Sequence, residues 1–187
     1  MKTIYFITSN SGKVLEVNNK LNNVDVKVIQ KNLGYPEIQS KGLEEVAMFG
    51  AEHVQKRFKL PFILEDAGLF IDSLDGFPGV YSAYVFNTIG NDGILKLMKN
   101  KEGNERKAVF RSVFAYAEPV RKPVLFIGEC HGTILNEKRG SNGFGYDPIF
   151  VPGGGNKTFA EMNASEKNQL SHRGKSLDKL NDFFKNK

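Results

Sequence analysis

The chain opens with a short apolar run, Ile4-Tyr5-Phe6-Ile7, that predicts a buried strand giving way to the loop Thr8-Ser9-Asn10-Ser11-Gly12. Val14, Val17 and Leu21 then fall on one face at helical spacing, so a helix is expected from about Lys13 to Leu21. Val24 to Ile29 alternates apolar with polar positions and reads as a second strand. Leu43, Val46, Ala47, Gly50, Val54 and Phe58 recur every three or four residues, a second helix that Pro61 closes. Phe62 to Leu64 predicts a third strand ending at two adjacent acids, Glu65 and Asp66.

Farther on, Asp72 to Gly79 is rich in turn residues and Ile89 to Met98 reads as a helix. Lys107 to Ala117 and Pro123 to Leu135 are long β-type segments separated by Glu118-Pro119, expected to pair antiparallel. A glycine-rich loop leads to a short strand at Pro148-Ile149-Phe150-Val151, and a flexible turn follows at Gly153-Gly154-Gly155. A last helix is expected to turn Leu170, Leu177, Leu180 and Phe184 to the core. Helices alternating with strands early, then long neighbouring strands, predict an α/β fold with a mixed sheet, and 187 residues suit one domain over 1–187.

Composition narrows the class. Forty per cent hydrophobic residues with 15 Phe can build a substantial core, and a single cysteine, Cys130, excludes an internal disulfide framework. The opening MKTIYFITSN lacks the apolar region of a secretory leader and no stretch is long enough to span a bilayer, so a soluble, cytoplasmic protein with no membrane partner is expected. The net charge of +5 is spread along the chain without the dense tract of a nucleic-acid arm. It suits a small polyanion in a pocket, and no nucleic-acid partner is expected.

Four segments have side chains suited to chemistry. Thr8-Ser9-Asn10-Ser11-Gly12-Lys13 lies where a strand gives way to a helix, a junction with free backbone N–H groups and a positive dipole end, both favourable to phosphate. It lacks the first Gly and the Ser/Thr of a P-loop, and it reads equally as a capped turn. In FILEDAGLFI the acids Glu65 and Asp66 point to opposite faces while the strand persists, so neither pairs with the other. Asp66 is more naturally partnered by Glu37, in the stiff loop Tyr35-Pro36-Glu37, and two carboxylates with substrate phosphates make a usual Mg²⁺ site; taken alone, Asp66 also reads as the cap of a local Asp-Ala-Gly turn and Glu37 more simply as an exposed loop acid. In SNGFGYDPIF, Gly143 and Gly145 allow close backbone approach, Phe144 and Tyr146 offer flat faces, and Asp147 adds a carboxylate, together suited to a nucleobase; the segment reads equally as a glycine-rich hairpin loop whose aromatics belong to the core. Lys167, His172 and Arg173 cluster near the last helix, where they could read a carbonyl or form an ordinary solvated face.

Taken in order, TSNSGK, PEIQ, EDAGL followed by GFPGVYS, GFGYDPIF, TFAEM and EKNQLSHRGK resemble the inosine triphosphatase family over nearly the whole chain. The resemblance implies a two-lobed α/β structure with a long mixed sheet and a cleft between the lobes, working as a homodimer. It implies Mg²⁺-dependent hydrolysis of non-standard purine nucleoside triphosphates (ITP, dITP, XTP) to the monophosphate and pyrophosphate. A nucleotide-binding regulator that has lost catalysis is the alternative. Position by position, the resemblance assigns the triphosphate to Thr8 through Lys13, the metal to Glu37 and Asp66, and proton acceptance to Asp66. Phe144, Gly145, Tyr146 and Asp147 would form part of the base pocket, with Lys167, His172 and Arg173 as further substrate contacts. Ala67 departs from the Ser or Thr usual after that Asp, which leaves any substrate contact there to its backbone.

Overall fold

The computed structural model describes residues 2–21 and 26–187, so the Val24-Asp25 start of the expected second strand lies outside the described residues. Strand β1 (Lys2–Ile7) leads through a short loop into α1 (Ser11–Leu21), and β2 (Val26–Lys31) precedes α2 (Leu43–Arg57). The long strand β3 (Phe62–Ile71) is followed by α3 (Ser82–Thr88) and α4 (Gly90–Leu97). Strands β4 (Lys107–Ala117) and β5 (Val124–Ile134) form a hairpin, then come the short β6 (Phe150–Pro152) and helices α5 (Ala164–Leu170) and α6 (His172–Lys185).

The six strands make one mixed sheet in the order β2-β1-β3-β4-β5-β6. Strand β1 runs parallel to β2 and β3, and the remaining pairs are antiparallel. The parallel half follows from its connections, since α1 and α2 carry the chain back to the same edge before each new strand. The hairpin half is long: β3, β4 and β5 run for 10, 11 and 11 residues, about 33–36 Å of strand, and β3 and β4 are buried on both faces over most of it.

These strands pack differently at their two ends. At one end, Leu64, Val113 and Ala115 face α2, while Ile63, Phe114, Tyr116 and Phe126 face α1 and α6. At the other, Leu69, Ile71, Phe110, Cys130 and Ile134 pack with Val85 of α3, Ile94 of α4 and the loop residues Tyr146 and Phe159. Side chains from both ends border a cavity at mid-strand. The α/β class and the mixed sheet flanked by helices agree with the pattern in the sequence.

Four expectations need correction. β3 does not end at the acids but runs through them to Ile71, paired residue by residue with β4 from Phe62↔Ala117 to Ile71↔Ala108. Ser82–Thr88 forms a helix that the sequence pattern did not announce, because its apolar residues, Ala83 to Phe86, are consecutive instead of spaced every three or four, and only Val85 among them is buried. The expected strand at 148–151 begins as a single turn of tighter helix at Asp147–Ile149, and its strand is Phe150–Pro152. The C-terminal helix is two helices broken at Ser171, whose hydroxyl accepts from Gly174 N at 3.0 Å and caps α6. Leu170, now the last residue of α5, is therefore 47% exposed and not in the core, whereas Leu177 and Leu180 are fully buried as expected.

The start of α6 presses on β5 so closely that a Cβ on Gly128 would lie 2.1 Å from His172 O and 2.4 Å from Ser176 N. Both neighbours are backbone, with nowhere to move. Gly128→Ala is expected to destabilise the fold by about 3 kcal/mol in urea denaturation, the upper part of the overpacking range. An unchanged midpoint would mean that this contact is not tight.

Candidate functional site

The loop after β1 is built by its own side chains. Thr8 Oγ1 accepts from Asn10 N at 3.1 Å, and Asn10 Oδ1 accepts from Lys13 N at 3.2 Å, capping the first turn of α1. Thr8 and Asn10 thus shape the turn, Ser9 and Ser11 are exposed, and Gly12 lets the Phe144 ring come close; a Cβ there would stand 2.9 Å from it. Lys13 leans over β3, its Nζ at 3.0 Å from both Glu65 O and Glu65 Oε2.

Glu65 and Asp66 do point to opposite faces of β3, and each meets a different set of partners. On the α6 side, Glu65 Oε1 accepts from Ser112 Oγ at 2.7 Å and Arg173 Nε at 2.9 Å. Arg173 Nη1 donates to Glu16 Oε2 at 2.5 Å, Lys167 Nζ to Glu16 Oε1 at 2.8 Å, and Lys167 Nζ also to Asp147 Oδ2 at 2.7 Å. Lys13, Glu65, Arg173, Glu16, Lys167 and Asp147 therefore form one chain of alternating charge whose signs cancel. All but Lys13 are under 10% exposed. Burial alone would push Glu65 up, but Arg173 and Lys13 outweigh it and hold the carboxyl well below its ordinary range. Glu16 is likewise held below its ordinary value by Arg173 and Lys167 against the effect of burial.

On the α2 side the balance is reversed. Burial raises Asp66 to about 6, with Lys13 pulling down and the carboxylates of Glu37 and Glu65 pushing up. The Tyr35 phenol lies beside Asp66 and, desolvated next to these acids, is itself shifted strongly upward. Asp66 Oδ2 is buried without a hydrogen-bond partner. Glu37 sits exposed in the segment between β2 and α2, near enough to raise Asp66 by its charge. Among the described residues no group of three or more His, Cys, Asp and Glu could hold a metal. A pair of carboxylates with an orphaned oxygen still fits a hard divalent cation that takes its remaining ligands from phosphate and water.

A cavity at mid-strand, about 320 Å³, is bordered by Asn10 and Lys13 on one side and by Phe144, Asp147, His172 and Arg173 on another, with Ala67 and Gly68 on its floor; Asp66 and Glu37 do not line it. Phe144 covers the buried cations, its ring centroid 4.8 Å from Lys167 Nζ and 5.3 Å from the Arg173 guanidinium. Its loop is held by Gly143 and Gly145 at φ of 75° and 64°, by Phe144 N donating to Asp147 Oδ2 at 2.8 Å, and by Asn91 Nδ2 donating to Gly145 O at 3.0 Å. His172 stacks on Phe110 at 4.6 Å, and burial keeps it neutral. Tyr146 also lines the cavity, but it is only 4% exposed: its hydroxyl donates to Ser82 O at 2.9 Å, and Phe86 packs on it edge-on. Asp147 is likewise spent on Lys167 and the Phe144 N–H.

Sequence reasoning missed Glu16 and Ser112. The one available signal for Glu16 was its place beside Val17 on the buried side of α1, where an acid needs a partner. Ser112 gave none.

In the folded protein Asp66 keeps its proton up to about pH 6, whereas in the unfolded chain it ionises near 3.8. Ionising it therefore costs stability, an effect absent below 3.8 and complete above about 6. In EDTA, Asp66→Asn is expected to raise stability by about 1–3 kcal/mol at pH 8, a gain that fades toward pH 4. Thermal melts at the two pH values check this; destabilisation at pH 8 would contradict it.

Comparison with known proteins bears on the whole chain. The model of the Ham1 family matches residues 4–183. A dITP/XTP pyrophosphatase of Methanopyrus kandleri is 50% identical over 183 residues, 98% of this chain and 96% of that protein. One from Pyrococcus horikoshii is 52% identical over 182 residues, 97% of this chain and 96% of that protein. Among solved structures, the HAM1 protein from Coxiella burnetii superposes with a TM-score of 0.86 at 31% identity, covering 100% of both chains. The Staphylococcus aureus Ham1 protein gives 0.85 at 30% identity over 99% of both chains. This chain belongs to the Ham1 family.

Proposed function

We propose that this protein hydrolyses ITP, dITP and XTP to the nucleoside monophosphate and pyrophosphate, clearing non-standard purines from the nucleotide pool, with residues 1–187 acting as one catalytic domain. The observation that carries the reading is near-complete coverage by relatives named dITP/XTP pyrophosphatase, at 50% and 52% identity. It is supported by a cavity that joins a phosphate-type turn to an aromatic, cation-backed loop.

In this reading the triphosphate lies across residues 8–13, where the first N–H groups of α1 and the Lys13 ammonium face its oxygens. Water attacks the α-phosphorus opposite the departing pyrophosphate. Asp66 orients that water and serves as its proton acceptor; without a cation burial raises it to about 6, and a bound cation would hold it ionised and less basic, so orienting the water is its larger part. Glu37 and Asp66 would hold Mg²⁺, which when bound supplies charge neutralisation at the phosphate oxygens. Ala67 keeps only its backbone for contact, so no hydroxyl is used there.

The base stacks on the Phe144 ring, whose other neighbours are the cations beneath. Hypoxanthine and xanthine carry a carbonyl at C6 where adenine carries an amino group. Arg173 spends Nε on Glu65 and Nη1 on Glu16, and Nη2 makes no hydrogen bond to the described residues. That donor pairs with a C6 carbonyl and would face adenine's amino group unpaired, a heavy penalty in a closed site. Asp147 and Lys167 act here by fixing the loop and the guanidinium. His172, neutral and walled by Phe110, fills the pocket's side.

The protein works as a homodimer in this proposal, and the exposed aromatic surface around α3 suits a second copy: Tyr84 is 71% and Tyr81 45% exposed, with Phe77 and Ile89 nearby in sequence. Light scattering after gel filtration tests that association, and a monomer at micromolar concentration would remove it.

Pyrophosphate release measured in parallel with ITP, XTP, GTP and ATP tests the activity. The expected outcome is kcat/KM at least about 100-fold higher for ITP and XTP than for ATP, abolished by EDTA. Asp66→Asn should lose turnover by at least about 10³-fold while still binding ITP in calorimetry. Orthophosphate as the product, or equal rates with ATP, would sink the reading.

A further inference from the structure

We propose that Glu65 is a positioning residue that couples the two ends of the site, holding the phosphate-facing Lys13 and the base-facing Arg173 on one carboxylate. The inference rests on the reading of the cavity given above and concerns how its halves communicate.

The geometry is specific to this residue. Glu65 Oε1 accepts from Arg173 Nε at 2.9 Å and from Ser112 Oγ at 2.7 Å, and Ser112 is braced in turn by Ser176 Oγ at 3.0 Å. This oxygen is fixed from several sides. The other, Oε2, lies 3.0 Å from Lys13 Nζ, and the same ammonium also donates to the Glu65 carbonyl at 3.0 Å. One oxygen thus holds the base side and the other holds Lys13. The Glu65 side chain has no exposure to water, so the field between the two oxygens and their cations is unscreened.

A second link runs in parallel. Glu16 lies one helical turn beyond Lys13 on α1 and grips both Arg173 and Lys167. Movement of Arg173 toward a base therefore acts on Lys13 in two ways: electrostatically through Glu65, and mechanically through α1. A base with a C6 acceptor keeps the guanidinium in its fork between Glu65 and Glu16, leaving Lys13 aimed at the phosphates. A base that displaces Arg173 leaves the Glu65 charge without one of its cations. The carboxylate then draws Lys13 inward, away from the phosphates. On this account the wrong base is rejected partly at the chemical step and not only in binding.

Glu65→Gln separates this from a merely structural role. The amide can still accept from Arg173 but gives Lys13 no counter-charge, so the cavity gains a net positive charge. Tripolyphosphate, which carries no base, is expected to bind several-fold tighter by calorimetry than to the wild type. The kcat ratio of ITP to ATP should fall at least tenfold, with KM for ITP unchanged or lower. Glu65→Asp keeps the charge on an arm too short to reach both cations; it should lose the kcat ratio without gaining tripolyphosphate affinity. It also serves if the Gln variant fails to fold. Weaker binding of every ligand with the wild-type ITP to ATP ratio retained, in whichever variant folds, would overturn the proposal. Failure of the wild type itself to release pyrophosphate from ITP would instead defeat the proposed activity; the tripolyphosphate comparison would still report on the hold of Glu65 over Lys13.

Discussion

The buried chain of alternating charge from Lys13 to Asp147 is the interaction on which the rest of the site depends. Taking six ionised groups out of water is expensive, and only complete pairing offsets the cost. Each member is accordingly held by at least one oppositely charged neighbour at 3.0 Å or less. Because the charges cancel, the cavity carries little bulk positive charge. Among the described residues the donors left over are those of the first turn of α1, the outward side of Lys13, and Arg173 Nη2, and on the proposed reading discrimination rests on them. A site organised this way recognises shape and hydrogen-bond pattern before charge.

The second constraint is the split environment of the adjacent acids on β3. Alternation along a strand sends Glu65 to one side and Asp66 to the other, and the two sides offer opposite electrostatics. Among cations, Glu65 is held as an anion; beside other acids, Asp66 is raised to about 6. One dipeptide thus carries two carboxylates of opposite character without any loop to separate them. Two acids in a strand interior, ordinarily a mark of its end, are here the reason the strand passes through the site.

This also explains how much could be read from the chain. β4 and β5 were legible nearly to the residue because their alternation is local. The partners that allow β3 to carry acids are not local: Ser112, Lys13 and Arg173 stand 47, 52 and 108 residues away in sequence. A strand terminus was the natural local reading. The break between α5 and α6 did leave a trace, since Asn163 with Glu166 makes a capping box for α5 and Ser171 caps α6, but continuous apolar spacing masked it. At the site, the segments of Lys13, Phe144 and Arg173 singled out in the sequence do border one cavity, and the segment of the two acids reaches it through Ala67 and Gly68. What could not be read was how each is spent: Tyr146 and Asp147 serve the loop's own architecture, and Glu16, unremarkable on its helix, joins two cations.

The span of the charge chain has a consequence for how the protein matures. Glu16 and Arg173, which share a hydrogen bond, are 157 residues apart, and Glu16 and Lys167 are 151 apart. During synthesis the parallel strands and the long hairpin emerge before α5 and α6, so Glu65 already has Lys13 beside it while Glu16 has neither of its cations. Leu177 and Leu180, which cover the same face of the sheet, come later still. Closing that face and pairing Glu16 therefore depend on the same last segment of the chain.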